Sequence, residues 1–274
     1  MQKCLKDIVI VLLLNCLPIF STEVQTLKPK LLRIIPLLTE EDNHFDSGYV
    51  AGPTEISYIV ALEFSNQRSS WFCAGSIIAH RWILTVASCT NPASRVKINF
   101  GASDRQQSSY HVLVSSKSFF AHPDFNRFYQ HDIALIHMPY IVYSKNVKFV
   151  ALPSSRSLFT GEWALSAGWG QHKGTQKQMS KLHVVQIQVL ANSNCSKLGY
   201  GKRFRSGMLC ALLPNMETSC RLDSGSPIVL QASDTLIGIA SFGNQIGCKS
   251  HTPLGYTRLT AYMDWMATVM SENG

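Results

Sequence analysis

The chain is divided into many short strand-like runs, and this feature limits the folds open to it more than any other. The runs are rich in β-branched and aromatic residues, and Gly, Pro, Ser and Asn separate them, as expected for strands and turns. Val185, Ile187 and Val189 alternate with Gln186 and Gln188, which is the pattern of a strand with one buried face. The clearest runs are Tyr58–Phe64, Trp82–Val86, Val96–Phe100, Asp132–Met138, Leu182–Leu190, Ser226–Gln231 and Leu236–Ser241.

A helical period is found only at the C-terminal end. Tyr262, Trp265, Met266 and Val269 recur at helical spacing, which predicts a helix over about residues 260–271. We interpret this stripe as the face of a terminal helix that docks on the core, rather than as a membrane or partner helix. The sequence therefore predicts an all-β fold with a C-terminal helix.

The composition excludes several classes of protein. With 274 residues, of which 46% are hydrophobic and 15% charged, the chain can bury a sizeable core and is not a disordered tail. The first 45 residues carry as many acidic as basic side chains, so the whole formal charge of +8 lies beyond them. That charge favours anionic partner surfaces, but its density is far below that of nucleic-acid-binding proteins. We therefore expect no nucleic-acid partner.

The first 22 residues have the pattern of a signal peptide. Lys3 and Lys6 precede the short apolar run Ile8–Leu14, and small residues follow it. A membrane anchor is the alternative, but Asn15 and Pro18 interrupt a run that is already too short to span a bilayer. We therefore expect a secreted, extracellular protein without a membrane anchor.

A pro-segment and six mature cysteines follow from this reading. Residues 23–44 are mostly polar and irregular, and we interpret them as a pro-segment ahead of a folded domain over 45–274. Cys4 and Cys16 lie in the leader and leave with it. The even number that remains predicts three disulfides in an oxidising compartment, with the pairing open, and the lack of a C-x-x-C pair argues against a metal site. These cysteines are Cys73, Cys89, Cys195, Cys210, Cys220 and Cys248.

The segment Asp223–Pro227 is a candidate nucleophile turn. A catalytic serine needs a tight, glycine-bearing turn that exposes its hydroxyl near backbone N–H groups able to hold an oxyanion. Ser224 has this context, in an Asp-Ser-Gly tripeptide that begins three residues after Cys220 and comes just before a strand-like run, although an isolated Asp-Ser-Gly is usually only a turn. Upstream, Asp132 begins an apolar run, and another strand-like run ends at Cys89.

These segments resemble, in order, the landmarks of the chymotrypsin/trypsin family of serine proteases, most closely its secreted, digestive-type insect members. The resemblance covers about residues 45–270 and rests on six segments: Cys73–Ser76, Trp82–Cys89, Asp132–Leu135, Gly168–Gly170, Cys220–Pro227 and Ser241–Gly243. It implies two six-stranded Greek-key barrels, at about 45–150 and 151–258, with the active site between them. It also implies serine endopeptidase activity without a cofactor or metal, and three disulfides: Cys73–Cys89, Cys195–Cys210 and Cys220–Cys248.

The chain departs from the family at the position of the catalytic base. Family members carry a histidine just before the second cysteine of the first pair, where this chain has Ser88. The imidazole removes the nucleophile's proton, which a serine hydroxyl cannot do at neutral pH. Asp132 and Ser224 are retained. We expect no rescue by His131, which should face away from Ser224 as a strand neighbour of Asp132, or by His80, expected in a solvated turn.

Other departures lie around the nucleophile and at the activation site. Leu222 replaces the glycine whose N–H forms the oxyanion hole with that of Ser224, and Ser226 replaces a second, closely packed glycine. Family zymogens are cut between a basic and an apolar residue, and the new N-terminus pairs with an aspartate, here Asp223. The matching junction in this chain is His44-Phe45.

The specificity pocket also differs from that of trypsins. Thr218 stands at its base where trypsins carry Asp, so we expect no preference for Lys or Arg. Leu254 replaces a small residue, and it either fills part of the pocket or packs in the core. In both cases large aromatic or cationic side chains are disfavoured. The pocket walls are assigned to Ser219, Ser241, Phe242 and Gly243.

We consider three functions. The first is a secreted, non-catalytic protease homologue that binds peptides, protease inhibitors or active proteases. The second is a serine endopeptidase with residual activity, aided by a histidine of the substrate, and the third is a structural extracellular module. Two further features stay open: the glycosylation sequon at Asn194, and the cluster Lys202, Arg203 and Arg205, which is either a solvated loop or a site for an acidic partner.

Overall fold

The computed structural model describes residues 48–170, 179–213, 222–243 and 253–274. The leader, the pro-segment and the His44-Phe45 junction lie outside these ranges. The described strands are β1 (Gly48–Val50), β2 (Ile59–Ser65), β3 (Ser70–Ala79), β4 (Trp82–Thr85), β5 (Arg95–Phe100), β6 (Tyr110–Ser115), β7 (Phe119–Ala121), β8 (Ala134–His137), β9 (Trp163–Gly168), β10 (His183–Val189), β11 (Met208–Leu212), β12 (Pro227–Leu230), β13 (Leu236–Phe242) and β14 (Leu254–Arg258). The described helices are α1 (Ala87–Thr90), α2 (Asn192–Cys195) and α3 (Met263–Glu272), with short helical turns at Ser116–Ser118, Ser196–Tyr200, Gly201–Arg203 and Leu259–Ala261.

The first half of the described chain forms one curled antiparallel sheet in the order β6-β5-β2-β3-β4-β8-β7. The two strands at its edges, β6 and β7, are consecutive in the chain and are separated only by the turn Ser116–Ser118. They therefore act as one interrupted strand, and the sheet is equivalent to a six-stranded barrel. All strand-like runs predicted in this half are confirmed, with ends shifted by one or two residues.

The second half forms a closed barrel in the order β10-β11-β14-β13-β12-β9, and pairing of β9 with β10 completes the ring. The N-terminal strand β1 is added to this barrel, because Gly48–Val50 pairs with His183–Val185 of β10. The first strand of the folded domain therefore lies with the second barrel, although the sequence boundary at residue 150 groups it with the first.

The cores follow from the strand patterns. Leu62, Phe64, Ile77 and Ile98 belong to a large cluster inside the first barrel, which also receives Val229 of β12. Its strand neighbours Ile228 and Leu230 point the other way, into the core of the second barrel, because successive side chains of a strand face opposite sides. Strand β12 is thus buried on both faces.

The C-terminal helix docks as its apolar stripe predicts. Tyr262 and Met266 are buried and belong to the large cluster, and Trp265 and Val269 pack against it. The helix α3 begins at Met263, and a short helical turn, Leu259–Ala261, precedes it. Within the described part of the chain, no helix is both long and apolar enough to cross a membrane.

Candidate active site

Pairing of β4 with β8 brings Ser88 to Asp132. Thr85, at the end of β4, lies opposite Ala134, at the start of β8, so the residues that follow β4 meet those that precede β8. The Ser88 backbone N–H donates to Asp132 Oδ1 at 2.7 Å, and the Ser88 hydroxyl donates to Asp132 Oδ2 at 3.0 Å. Ser241, at the end of β13, donates its hydroxyl to the same Oδ2 at 2.6 Å. The carboxylate is therefore held by three groups from two segments of the chain.

Burial controls the protonation of Asp132. The residue has no exposed surface, and desolvation raises the pKa of its carboxyl to about 6. The hydrogen bonds from Ser241, Ser88 and the Ala87 backbone act in the opposite direction, because they favour the charged form. At neutral pH the side chain is a buried anion whose partners are hydrogen-bond donors.

The segment around Ser224 is a tight turn locked between the two barrels. Gly225 has a φ of +87°, and a Cβ there would lie 2.0 Å from the carbonyl oxygen of Ala74, so only glycine fits. The Ala74 N–H donates to the carbonyl of Ser224 at 2.8 Å, and the Gly225 N–H donates to Ala240 at 2.7 Å. Ser224 itself stays half-buried. The turn thus has the form expected for an accessible serine hydroxyl.

The Ser224 turn lies next to the segment that carries Ser88. The sulfur of Cys89, next to Ser88, lies 4.0 Å from the carbonyl oxygen of Ser224. Cys89 is disulfide-bonded to Cys73 on β3, which anchors the short helix α1 to the first barrel. A second disulfide joins Cys195 and Cys210. Cys220 and Cys248 lie outside the described residues.

Two candidate histidines are engaged elsewhere. The sequence predicts that His131 lies in a strand. It lies instead in a turn and has a φ of +55°. It stacks on His122 at 4.9 Å, and its Nδ1 lies 3.3 Å from the hydroxyl of Tyr262. His80 is in the predicted turn but is half-buried rather than solvated, since its ring stacks between Tyr140 and Tyr143.

The residues on either side of Ser224 are closely packed, and one of them is the buried Asp223. Asp223 is buried, and its Oδ2 accepts hydrogen bonds from the backbone N–H groups of Trp169 at 2.6 Å and Gly170 at 3.0 Å. Ser226 is fully buried, and its hydroxyl has no hydrogen-bond partner among the described residues. Leu222, at the expected oxyanion position, packs its side chain against the core of the second barrel.

The described part of the specificity pocket has two large side chains. Leu254 is half-buried and packs against the core of the second barrel. The ring of Phe242 covers the backbone of Gly255, where a Cβ would lie 2.3 Å from it, and it also contacts Tyr200 at a centroid distance of 5.0 Å. Gly243 is exposed. Thr218 and Ser219 lie outside the described residues.

A cleft of about 530 Å³ opens beside Ser88 and was not predicted. It lies between the loop after α1 and the loop that precedes Asp132, and Arg127 is the cation in its wall. The two loops could have been proposed as its walls, since one follows Ser88 and the other leads to Asp132. The lining residues are Ser88, Asn91, Pro92, Phe125, Asn126, Arg127 and Tyr129. In the described ranges, no three His, Cys, Asp or Glu side chains are grouped so that they could hold a metal ion.

Comparisons with known proteins agree with this architecture. The Trypsin family model matches residues 45–266. "Serine protease 1" of Drosophila melanogaster is 37% identical over 224 residues, which are 80% of this chain and 83% of the relative. "Collagenase" of Hypoderma lineatum is 32% identical over 226 residues, 80% of this chain and 85% of the relative.

A solved structure supports the same assignment. The HL collagenase structure superimposes with a TM-score of 0.76 at 30% sequence identity, over 82% of this chain and 97% of the other. The double barrel, the Ser224 turn between the barrels and the extent of the family match all agree. The chain belongs to the trypsin family of serine proteases.

Proposed function

We propose that this protein is a secreted, non-catalytic member of its family that acts by binding peptides, protease inhibitors or active proteases. The observation that carries the proposal is the state of Ser88, which stands at the position of the family's catalytic histidine. Its hydroxyl donates to Asp132, so the carboxylate that orients the imidazole in active members is occupied by a group that cannot act as a base. We further propose a signal peptide over 1–22, a pro-segment over 23–44 and a protease-like domain over 45–274.

The chemistry supports this proposal. In the triad mechanism, the imidazole accepts the proton of the nucleophile and then protonates the leaving amine. Without it, Ser224 keeps its proton, and loss of the base costs roughly six orders of magnitude in turnover. His131 and His80 are held by Tyr262 and by two tyrosine rings, respectively. Neither is placed to replace the missing group.

The nucleophile frame is nevertheless intact, which supports a binding role. The Ser224 turn is fixed by hydrogen bonds to Ala74 and Ala240, and the cleft beside Ser88 remains open. A peptide segment can therefore lie beside Ser88, in a cleft whose walls come from two loops of the first barrel, without being cut. Inhibitors and substrates of active proteases carry such segments, and this makes them the partners we propose.

A fluorophosphonate probe tests the absence of catalysis. The probe bonds covalently to an activated serine oxygen and releases fluoride. We expect the purified protein, cleaved before Phe45, to label no faster than heat-denatured protein or the Ser224→Ala variant. Rapid labelling that depends on Ser224 would overturn the proposal.

Two variants at position 88 locate the defect. Ser88→His restores an imidazole next to Asp132, and we expect it to gain Ser224-dependent labelling. Ser88→Ala removes the hydroxyl without adding a base and should stay silent. Silence of both variants would show that other departures, such as Leu222, disable the site as well.

A second function, a serine endopeptidase assisted by its substrate, is favoured by the cleft beside Ser88. That cleft has room for a side chain next to the Ser88 hydroxyl. A histidine of the bound peptide could take the proton of the Ser224 hydroxyl while the Ser224 oxygen attacks the carbonyl carbon of the peptide bond. The histidine would then pass this proton to the leaving amine. A matched pair of peptides with His or Gln at one position tests this function. Cleavage of the His peptide alone, abolished in Ser224→Ala, would support it over the non-catalytic proposal.

A further inference from the structure

A row of stacked rings crosses the surface of the first barrel. Tyr140 stacks on His80 with ring centroids 4.5 Å apart, and His80 stacks on Tyr143 at 4.0 Å. Tyr143 in turn contacts Phe149 at 5.4 Å. We call Tyr140, His80, Tyr143 and Phe149 the aromatic row.

Backbone hydrogen bonds hold the aromatic row in place. The Ile141 N–H donates to the carbonyl of His80 at 3.0 Å, and His80 Nδ1 lies 2.8 Å from the carbonyl of Ile141, so that this nitrogen is the donor. Lys148 N–H donates to Ser57 at 3.0 Å, and Val150 N–H donates to Ile77 at 3.0 Å. The surface is therefore formed before any partner arrives, and little conformational entropy is lost when one binds.

Apolar side chains project from this surface into water. Val142 is 75% exposed, and Tyr140 and Phe149 are each 55% exposed. Single exposed apolar residues are common on proteins, but a contiguous group typically marks an interaction surface. The aromatic row connects Tyr140 and Phe149 through ring contacts, and Val142 lies between them in the chain.

The two segments that carry the aromatic row supply only positive charge to this surface. The Arg81 guanidinium lies 5.7 Å from the centre of the Tyr140 ring, and Lys145 and Lys148 are exposed. The sequence has no Asp or Glu from Phe64 to Ser103 or from Ile133 to Gly161, the two segments that carry the aromatic row and the three cations. Across the described ranges, the ion pairs are Lys97 with Glu63 and Arg156 with Asp264. The three cations are therefore available to carboxylates of a partner.

The surface is distinct from the active site. Strand β4 has the His80-Arg81 turn at one end and Ser88 at the other, and β8 runs antiparallel to it from the Asp132 end toward Tyr140. A partner on the aromatic row would leave the Ser224 turn free. Binding there is thus independent of whether Ser224 is catalytic.

We propose that the aromatic row, with Val142, Arg81, Lys145 and Lys148, docks an acidic peptide segment of a protein partner that also carries apolar side chains. Carboxylates meet the cations, and the apolar side chains cover Val142 and Phe149. A sulfated polysaccharide would satisfy the cations but would leave those apolar groups in water. A bilayer with anionic lipids is the competing partner, and binding of phosphatidylserine vesicles tests it below. A peptide uses both features at once.

Selection from a displayed library of random peptides tests this proposal. The library is selected on the full chain and counter-selected on the double variant Val142→Ser/Lys145→Glu. We expect the enriched peptides to place Asp or Glu next to Phe, Leu or Ile, and to bind the unmodified protein at least tenfold more tightly than the variant. The same peptides with their apolar residues changed to Ser should also lose at least tenfold.

A matched control variant separates this surface from general charge effects. Leu113→Ser/Lys117→Glu changes an exposed apolar residue and an exposed lysine elsewhere on the first barrel, with the same change in net charge. We expect it to bind the selected peptides within twofold of the unmodified protein. The proposal is overturned if both variants lose binding equally. It is also overturned if the enriched peptides bind Val142→Ser/Lys145→Glu as tightly as they bind the unmodified protein. Heparin or phosphatidylserine vesicles that bind the unmodified protein but not Val142→Ser/Lys145→Glu, when no peptide binds, also overturn it.

Discussion

Ser88, where we propose that the catalytic histidine is replaced, leaves no buried charge unsatisfied. Its N–H and hydroxyl both donate to Asp132, which Ser241 also contacts. An ionised carboxylate without donors would be costly in the protein interior. In the proposed non-catalytic site, the serine therefore takes the place of an imidazole as a hydrogen-bond donor to Asp132 but not as a base.

The buried carboxyl of Asp132 should make stability depend on pH. Because its pKa is raised to about 6, the folded state binds a proton that the unfolded state has lost above about pH 4. The stability that this residue contributes is therefore present at low pH and is lost as the pH rises through 6. We expect the free energy of unfolding, relative to that of Asp132→Asn, to fall by about 2 kcal/mol between pH 4 and 7.5.

Urea denaturation of both proteins at the two pH values measures this difference. The comparison with Asp132→Asn cancels the titration of every other group, provided that the variant keeps its fold. A difference that stays constant, or that grows with pH, would show that the hydrogen bonds outweigh the effect of burial.

A pair of buried serines in the second barrel provides a test of hydrogen bonding. Ser166 donates its hydroxyl to the carbonyl of Pro227 at 2.7 Å, whereas the Ser226 hydroxyl has no partner among the described residues. Both side chains are fully buried. We expect Ser166→Ala to cost about 1 kcal/mol, and Ser226→Ala to be neutral or stabilising by about 1 kcal/mol. Thermal unfolding of the two variants compares them, and an equal loss in both would contradict the assignment.

At the residue scale, motif spacing predicts some of the site but not its contacts. Asp132 and Ser224 stand out because each lies beside a strand signal, Ser224 also shortly after a cysteine, in the order of a known family. The bond between Ser88 and Asp132 joins residues 44 positions apart and depends on pairing of β4 with β8. The cleft beside Ser88 depends on the path of two loops, and no local pattern encodes that path.

At the scale of elements, periodicity predicts the strands and the terminal helix because each has one or two buried faces. The alternation argument fails for His131, which has a positive φ in a turn and points to His122 and Tyr262. Tyr129, in the same loop, also has a positive φ. Such loop conformations are set by tertiary contacts, so sequence alternation does not apply to them.

The docking of α3 rests chiefly on Met266. This side chain is 1% exposed and belongs to the large cluster inside the first barrel, whereas Met270 of the same helix is half-buried. We expect Met266→Ala to lower the free energy of unfolding by about 3 kcal/mol, because it leaves a cavity, and Met270→Ala to lower it by less than half as much. Chemical denaturation followed through tryptophan fluorescence measures both, and equal losses would contradict this anchor role.

At the scale of the molecule, the two barrels share buried surface. The large cluster combines Leu62 and Ile77 of the first barrel with Val229 and Ile239 of the second. The resemblance to a known family predicts two barrels, but the sharing of a core through β12 requires the three-dimensional packing. Neither barrel is therefore complete by itself.

Shortening one buried side chain at this shared core should then destabilise both barrels together. We expect Val229→Ala to cost about 2 kcal/mol and to lower the midpoint of a single calorimetric transition by about 4–8 °C. Calorimetry at several scan rates, with the disulfides intact, measures this. Two separate transitions, of which only one moves, would show that the barrels unfold independently.

Each end of the described fold packs on the barrel that is formed by the other half of the chain. Strand β1, at the start, pairs with β10 of the second barrel, whereas α3, at the end, packs its Met266 into the core of the first. In mechanical terms, a force that pulls these two ends apart loads each barrel through an element from the other half of the chain. The connecting segment between β8 and β9 cannot extend until one of these terminal elements detaches. Strand β1 and helix α3 thus hold the two barrels together at the chain ends, and detachment of one of them is the first event that such a force would produce.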